Sequence, residues 1–250
     1  MNLSPETILI GLIAGFASGH LGIGGGIITK PAIRLVLGYS ALIAVGTPLL
    51  VNIPTVLSGV YVYNRNDLID KRVAYHMMAP AAIGAVLGSY LTSFINGSLI
   101  LIFSAIVIFI LGLQLPMDIG PKKEMTFSSP TLIVIALIIG SMSGFLGLGG
   151  GFLLVPFLSL IIGHKMKVAF GTSLTIILAI TIPGAIIHYL LGHIDLNLAL
   201  NLIVGVIPGA IIGARVAIGL PEQYLKIIFG ILLMTLASYL GYFELIRLVR

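Results

Sequence analysis

The chain has 250 residues, 58% of them hydrophobic and only 8% charged, against roughly 25% charged in an ordinary soluble domain. So little polar surface cannot cover a globule in water, which excludes a soluble fold and indicates an all-α polytopic membrane protein. The net charge of +5 does not indicate nucleic acid, because no basic cluster interleaves with aromatics and excess Lys and Arg in cytoplasmic loops is what membrane orientation requires.

Eight apolar segments follow, grouped in two halves. The first is broken: an apolar stretch over 3–38 is interrupted by Gly22-Ile23-Gly24-Gly25-Gly26. No basic region or cleavage site precedes it, so no removable signal peptide is expected. Three long helices are predicted next, over 41–63, 73–94 and 98–115. Residues 116–130, with Lys122, Lys123 and Glu124, read as a cytoplasmic linker between a first transmembrane repeat, 1–115, and a second, 131–250. The second half has a broken stretch over 131–163, around Gly147-Leu148-Gly149-Gly150-Gly151, then helices over 168–191, 196–218 and 223–241.

The halves are a duplication at an offset of 125. Gly19 and Gly22 to Gly26 fall on Gly144 and Gly147 to Gly151, Pro31 on Pro156, Gly46-Thr47 on Gly171-Thr172, and Ile69-Asp70 on Ile194-Asp195. Twenty-two of the 31 glycines fall into such pairs, too many for composition alone. Charge then predicts opposite orientations. The loop with Arg65, Lys71 and Arg72 has a counterpart at Gly192-His193-Ile194-Asp195 that carries no Lys or Arg, whereas the uncharged Gly38-Tyr39-Ser40 answers to a loop with Lys165 and Lys167. Since basic loops are cytoplasmic, the repeats are expected to be inverted. Nine basic residues, these five with Lys122, Lys123, Arg215 and Lys226, then lie inside, against Arg247 and Arg250 outside. Each half must cross an odd number of times. The broken stretch, about 35 residues where two spans need about 40, is therefore a hairpin with its glycine tip inside the membrane.

Irregular backbone at membrane depth is tolerated where it lines a cavity, and paired broken helices in inverted halves point to a transporter's midplane site. At each tip, backbone N–H groups lack intrahelical partners and carry partial positive charge, and glycine admits a ligand close to that backbone. Gly22, Gly24, Gly25, Gly26, Gly147, Gly149, Gly150 and Gly151 are thus candidates for an anion cradle; the alternative for each is a tight turn. No Gly-Lys-Ser/Thr follows, so neither run is a nucleotide loop. All eight carboxylates fall near segment ends or in loops, which argues against a cation substrate. Lys30 and Arg34 share a helix face and either serve the anion or reach for the interface. Thr47, Asn52, Thr172 and Ser173 are candidate donors to an oxoanion, while His20 and His188, with His76, are candidates for proton coupling. Gly15/Gly19, Gly84/Gly88, Gly140/Gly144 and Gly209/Gly213 read as helix contacts, Asp70 and Asp195 as N-caps, and Tyr61, Tyr63, Tyr75 and Tyr189 as interface markers. Ser18-Gly19-His20 suggests a nucleophile and base, but Phe145 answers to His20 and no mid-span acid completes a triad; an enzyme is not expected, nor any cofactor or metal.

The duplicated Gly-x-Gly-Gly-Gly hairpins at 22–26 and 147–151, each followed by Pro31 or Pro156, resemble the TauE/SafE family of membrane transporters, and the resemblance covers essentially the whole chain. It implies export of a small sulfur-containing anion, such as sulfite or an organosulfonate, across the cytoplasmic membrane. A secondary transporter alternating access between the halves is expected, with an anion channel of the same build as the alternative. The expected partners are the anion and the lipid bilayer.

Overall fold

The structure, a computed structural model, describes residues 4–91, 105–106, 109–117, 125–146 and 150–249. Among these residues it is helical with no strand. Half of the expected helix over 98–115 falls outside the described residues, as do Gly147, Gly149 and the linker residues 118–124. Helix α1 (Pro5–Leu21) starts with proline at its first position and stops where Gly22 turns left-handed (φ 66°), a cap that only glycine adopts without steric cost. After the break, α2 (Gly26–Pro31) runs on as a π-helical turn, Ala32–Val36. Pro31 has no N–H to continue the α ladder, so the helix widens there. Helices α3 (Ala41–Arg65) and α4 (Lys71–Leu91) follow.

The second half repeats the pattern. Helix α5 (Ser129–Leu146) precedes the break, and α6 (Gly151–Pro156) again passes at a proline into a π-helical turn, Phe157–Ile162, ended by left-handed Gly163. Then come α7 (Met166–Leu190), α8 (Leu196–Gly219) and α9 (Glu222–Val249). Two boundaries differ from expectation. Helix α5 begins inside the anticipated linker because the Ser128 hydroxyl accepts from the Thr131 N–H (3.4 Å) and caps it. Helix α9 runs past Gly241 because no proline or further glycine stops it. Three stretches, Leu42–Arg65, Met166–Leu190 and Leu196–Gly219, are long and apolar enough to cross a bilayer. Outward-facing Leu9, Ile13, Ile83, Val86, Leu87 and Ile212 are exposed, an apolar exterior suited to lipid rather than water.

Each half lends its first helix to the other. Helix α1 lies on α8, and α5 lies on α4. A Cβ added to Gly11, Gly15 or Gly19 would collide with the carbonyls of Leu202, Val206 and Ala210, and one on Gly205, Gly209 or Gly213 with those of Ile8, Leu12 and Phe16. In the second seam Gly140 and Gly144 press on Ala81 and Ala85, while Gly84 and Gly88 press on Leu137 and Ser141. Contacts advance in the same sense along both partners, so each pair runs parallel. Glycine is required here because the backbones themselves touch.

The interhelical loops are latched reciprocally too. The Asp70 N–H donates to Thr172 Oγ1 (2.9 Å), and the equivalent Asp195 N–H donates to Thr47 Oγ1 (3.1 Å). Both aspartates cap the following helix, accepting from Val73 and Leu198 (2.9 Å each). Helix α1 starts beside α8, its Ser4 N–H on Asn201 Oδ1 (3.1 Å), and α5 starts beside α4, with Ser129 Oγ 3.0 Å from His76 Nε2. The Asp70 end of the molecule gathers Arg65, Lys71, Arg72, Lys165 and Lys167; the Asp195 end has Arg34, His188 and His193.

Candidate functional site

The glycine breaks lie inside the protein, and they meet. Leu21, Gly22, Ile23, Gly24 and Gly25 are all buried, as are Gly150 and Gly151. A Cβ on Gly151 would collide with the Ile23 backbone, and one on Gly22 would stand 2.6 Å from Phe170 Cα. Residues 22–23 of the first half thus sit directly on the second half. The chain doubles back at the break: Gly25 comes alongside the Ala14 carbonyl, 3.8 Å from the place its Cβ would take.

Asn52, in the middle of α3, organises the first tip. Its Oδ1 accepts from the Gly25 N–H (2.8 Å), and its Nδ2 donates to Thr181 Oγ1 on α7 (3.2 Å). One buried amide therefore joins the tip to the other half. Thr29 donates to the Gly25 carbonyl (3.0 Å), and Ser173 donates to the Gly22 carbonyl (2.9 Å). These bonds satisfy polar groups that water cannot reach.

The tip glycines divide by need. Gly22 and Gly24 have positive φ, 66° and 77°, and Gly151 has no room for a side chain. Gly25 has ordinary helical angles (φ −71°, ψ −15°), and a Cβ there would meet nothing closer than 3.5 Å. Gly26 lacks positive φ as well, its nearest neighbour being Lys30 Cε at 4.0 Å. Neither backbone geometry nor packing asks for glycine at 25 or 26. A Cβ on Gly25 would rest against Thr55, Asn52 and the Ala14 carbonyl, whereas the space beside Gly26 is bordered by Lys30, whose stem runs back along α2. At Gly150 a Cβ would crowd Ile180, Ser143 and Leu154 (3.2–3.3 Å), so the second tip is the tighter of the two.

Of the residues singled out from sequence, Gly22, Gly24, Gly25, Gly26, Lys30, Asn52, Gly150, Gly151 and Ser173 lie at or beside the joined tips. Thr47 and Thr172 do not: each is fully buried at a latch near an opposite end of the molecule. Arg34 bonds the Tyr39 carbonyl (2.8 Å) at the hairpin exit. His20 stacks on Phe16 (5.5 Å between centroids) beside α8. His188 Nδ1 lies 3.3 Å from His193 Nδ1 and within electrostatic reach of Lys30. His76 bonds the Arg72 carbonyl. Tyr63 corrects an expectation: it is fully buried, not an interface marker, because its hydroxyl donates to the Gly19 carbonyl (2.9 Å). Tyr61, Tyr75 and Tyr189 are exposed. Sequence reasoning missed Thr29, which makes a local bond to the carbonyl four residues back, and Thr181, whose contact with Asn52 no spacing encodes. Among the described residues no three His, Asp or Glu side chains group as metal ligands.

The family model described as sulfite exporter TauE/SafE matches residues 7–240, both glycine breaks included. The chain belongs to the TauE/SafE family. Among its relatives, the probable membrane transporter protein YunE of Bacillus subtilis is 26% identical over 75% of this chain and 79% of its own. A probable membrane transporter protein of Xylella fastidiosa is 30% identical over 67% of both chains. An archaeal one, from Methanocaldococcus jannaschii, is 26% identical over 75% of this chain and 73% of its own. With three bilayer-length apolar helices and an apolar exterior, this TauE/SafE protein is a membrane protein.

Proposed function

We propose that the protein is a secondary transporter exporting a small anion, sulfite or an organosulfonate, across the cytoplasmic membrane by alternating access at the joined glycine tips. The observation that carries this is the pair Gly25 and Gly26 at the start of α2, where neither backbone angles nor packing require glycine. The positive end of α2 beside Lys30, next to the unfilled side of Gly26, suits a ligand with negative charge and several acceptor oxygens. A cation fits poorly, since Glu6, Asp70, Asp195 and Glu222 sit at helix starts and Asp67 in a turn, away from the tips. The family description names sulfite export, and the relatives' names support membrane transport.

The mechanism we infer uses inverted repeats. Its support is topological. Helix α2 doubles back from α1, and short loops then reverse the chain into α3 and into α4, so α4 runs opposite to α1. Helix α5 lies parallel to α4, so the two equivalent helices, α1 and α5, point in opposite directions. The end rich in Arg65, Lys71, Arg72, Lys165 and Lys167 is then the cytoplasmic one. Two halves that exchange α1 and α5 can rock against each other about the tips between them. His20 and the adjoining His188 and His193 provide the candidate groups for proton coupling.

The test is uptake of labelled sulfite into proteoliposomes, with sulfate, a small sulfonate and chloride as competitors, with and without a pH gradient. Saturable flux with counterflow is expected. An ohmic current without counterflow would mean a channel, and absence of any anion flux from inserted protein overturns the proposal.

A further inference from the structure

Ser18 and Ser143 are equivalent under the 125-residue repeat, and each lies one turn before its glycine break. They are 1% and 2% exposed, and neither hydroxyl has a hydrogen-bond partner in the protein. That is unusual for a helix. Thr55, Ser58, Thr175 and Thr181 all donate to the carbonyl four residues back, at 2.7–2.9 Å. Such back-bonding is the ordinary resort of a buried helical hydroxyl, and Ser18 and Ser143 do not take it. An unpaired buried hydroxyl destabilises a fold, so one placed in both halves calls for a partner from outside the chain.

Both serines lie at the breaks. Ser143 Oγ is 3.2 Å from the place a Cβ on Gly150 would occupy. Ser18 is tied to the first break through its carbonyl, which accepts from the Gly22 N–H (2.8 Å). The two breaks touch at Gly151 and Ile23, so the two serines approach that junction from opposite halves.

We propose that Ser18 and Ser143 are the side-chain donors of the anion site, one from each half, and that their ligand is a small oxoanion rather than a halide. Two directional O–H donors on different elements match a ligand with several oxygens spread over its surface; a single halide centre does not engage them equally well. This rests on the transport reading above and adds to it the residues that choose between anion classes.

The experiment compares Ser18→Ala and Ser143→Ala with the parent protein in proteoliposomes, measuring sulfite KM and maximal rate, chloride competition, and anion-free melting temperature in detergent. Each variant is expected to raise the sulfite KM about tenfold, the loss of one charge-assisted hydrogen bond, with the maximal rate largely kept. The melting temperature stays level or rises, because an unpaired polar group has been removed; a purely structural serine would show the stability change without the KM change. Chloride, a weak competitor of the parent protein, gains on sulfite in both variants. Ser18→Cys and Ser143→Cys, nearly isosteric with a much weaker donor, are read the same way if an alanine variant fails to insert. Sulfite flux in the parent with unchanged KM in both positions overturns the assignment of the serines alone. No flux in the parent overturns the transport reading with it.

Discussion

At the scale of single residues, glycine at the breaks answers to different causes, and substitution separates them. Gly151→Ala drives a Cβ into the Ile23 backbone and should cost about 1–3 kcal/mol, read as a lowered melting temperature. Gly25→Ala meets only ordinary van der Waals neighbours at helical angles, so stability should hold or rise by about 0.4–1 kcal/mol. Its methyl nevertheless fills the space assigned to the anion, and sulfite uptake should fall at least tenfold. Full-rate uptake by Gly25→Ala would remove that space from the site. The sequence marks both glycines alike, because a spacing motif does not record which neighbour stands above each Cα.

At the scale of elements, the helices follow from proline, glycine and apolar run length, and most bounds lie within a few residues of expectation. Their partners do not follow. Thr47 and Thr172 occupy equivalent places beside Gly46 and Gly171, a pattern that suggests donors to a ligand. Their hydroxyls accept from the Asp195 and Asp70 N–H groups and latch a loop of one half to a helix of the other. Thr47→Val and Thr172→Val should therefore each destabilise by about 1 kcal/mol while leaving the sulfite KM unchanged. A KM that rises with stability intact would return them to the binding set. The glycine pairs, by contrast, were legible as helix contacts, since small residues four apart serve little else in an apolar helix.

At the scale of the whole molecule, the decisive feature is the exchange of first helices between halves. The proposed inversion places Asn66 and its equivalent, Leu191, on opposite faces of the membrane. Both are exposed, and the chain has no native cysteine, so single-cysteine variants report directly. In intact cells Leu191→Cys should react with a membrane-impermeant maleimide, and Asn66→Cys only after permeabilisation. Labelling of both from the same side would sink the inverted arrangement.

Hydropathy, the 125-residue repeat and the glycine breaks are properties of the chain read along its length, so the sequence alone determined the helical membrane class, the duplication and the two interruptions. Which helix touches which is a property of the packed molecule. The pairing of α1 with α8, the burial of Tyr63 against Gly19, the Asn52 bridge from Gly25 to Thr181 and the unpartnered hydroxyls of Ser18 and Ser143 all join residues distant in sequence or depend on a neighbour's absence. Only the tertiary structure decided these, because close packing fixes backbone contacts and polar partners at distances that periodicity does not encode.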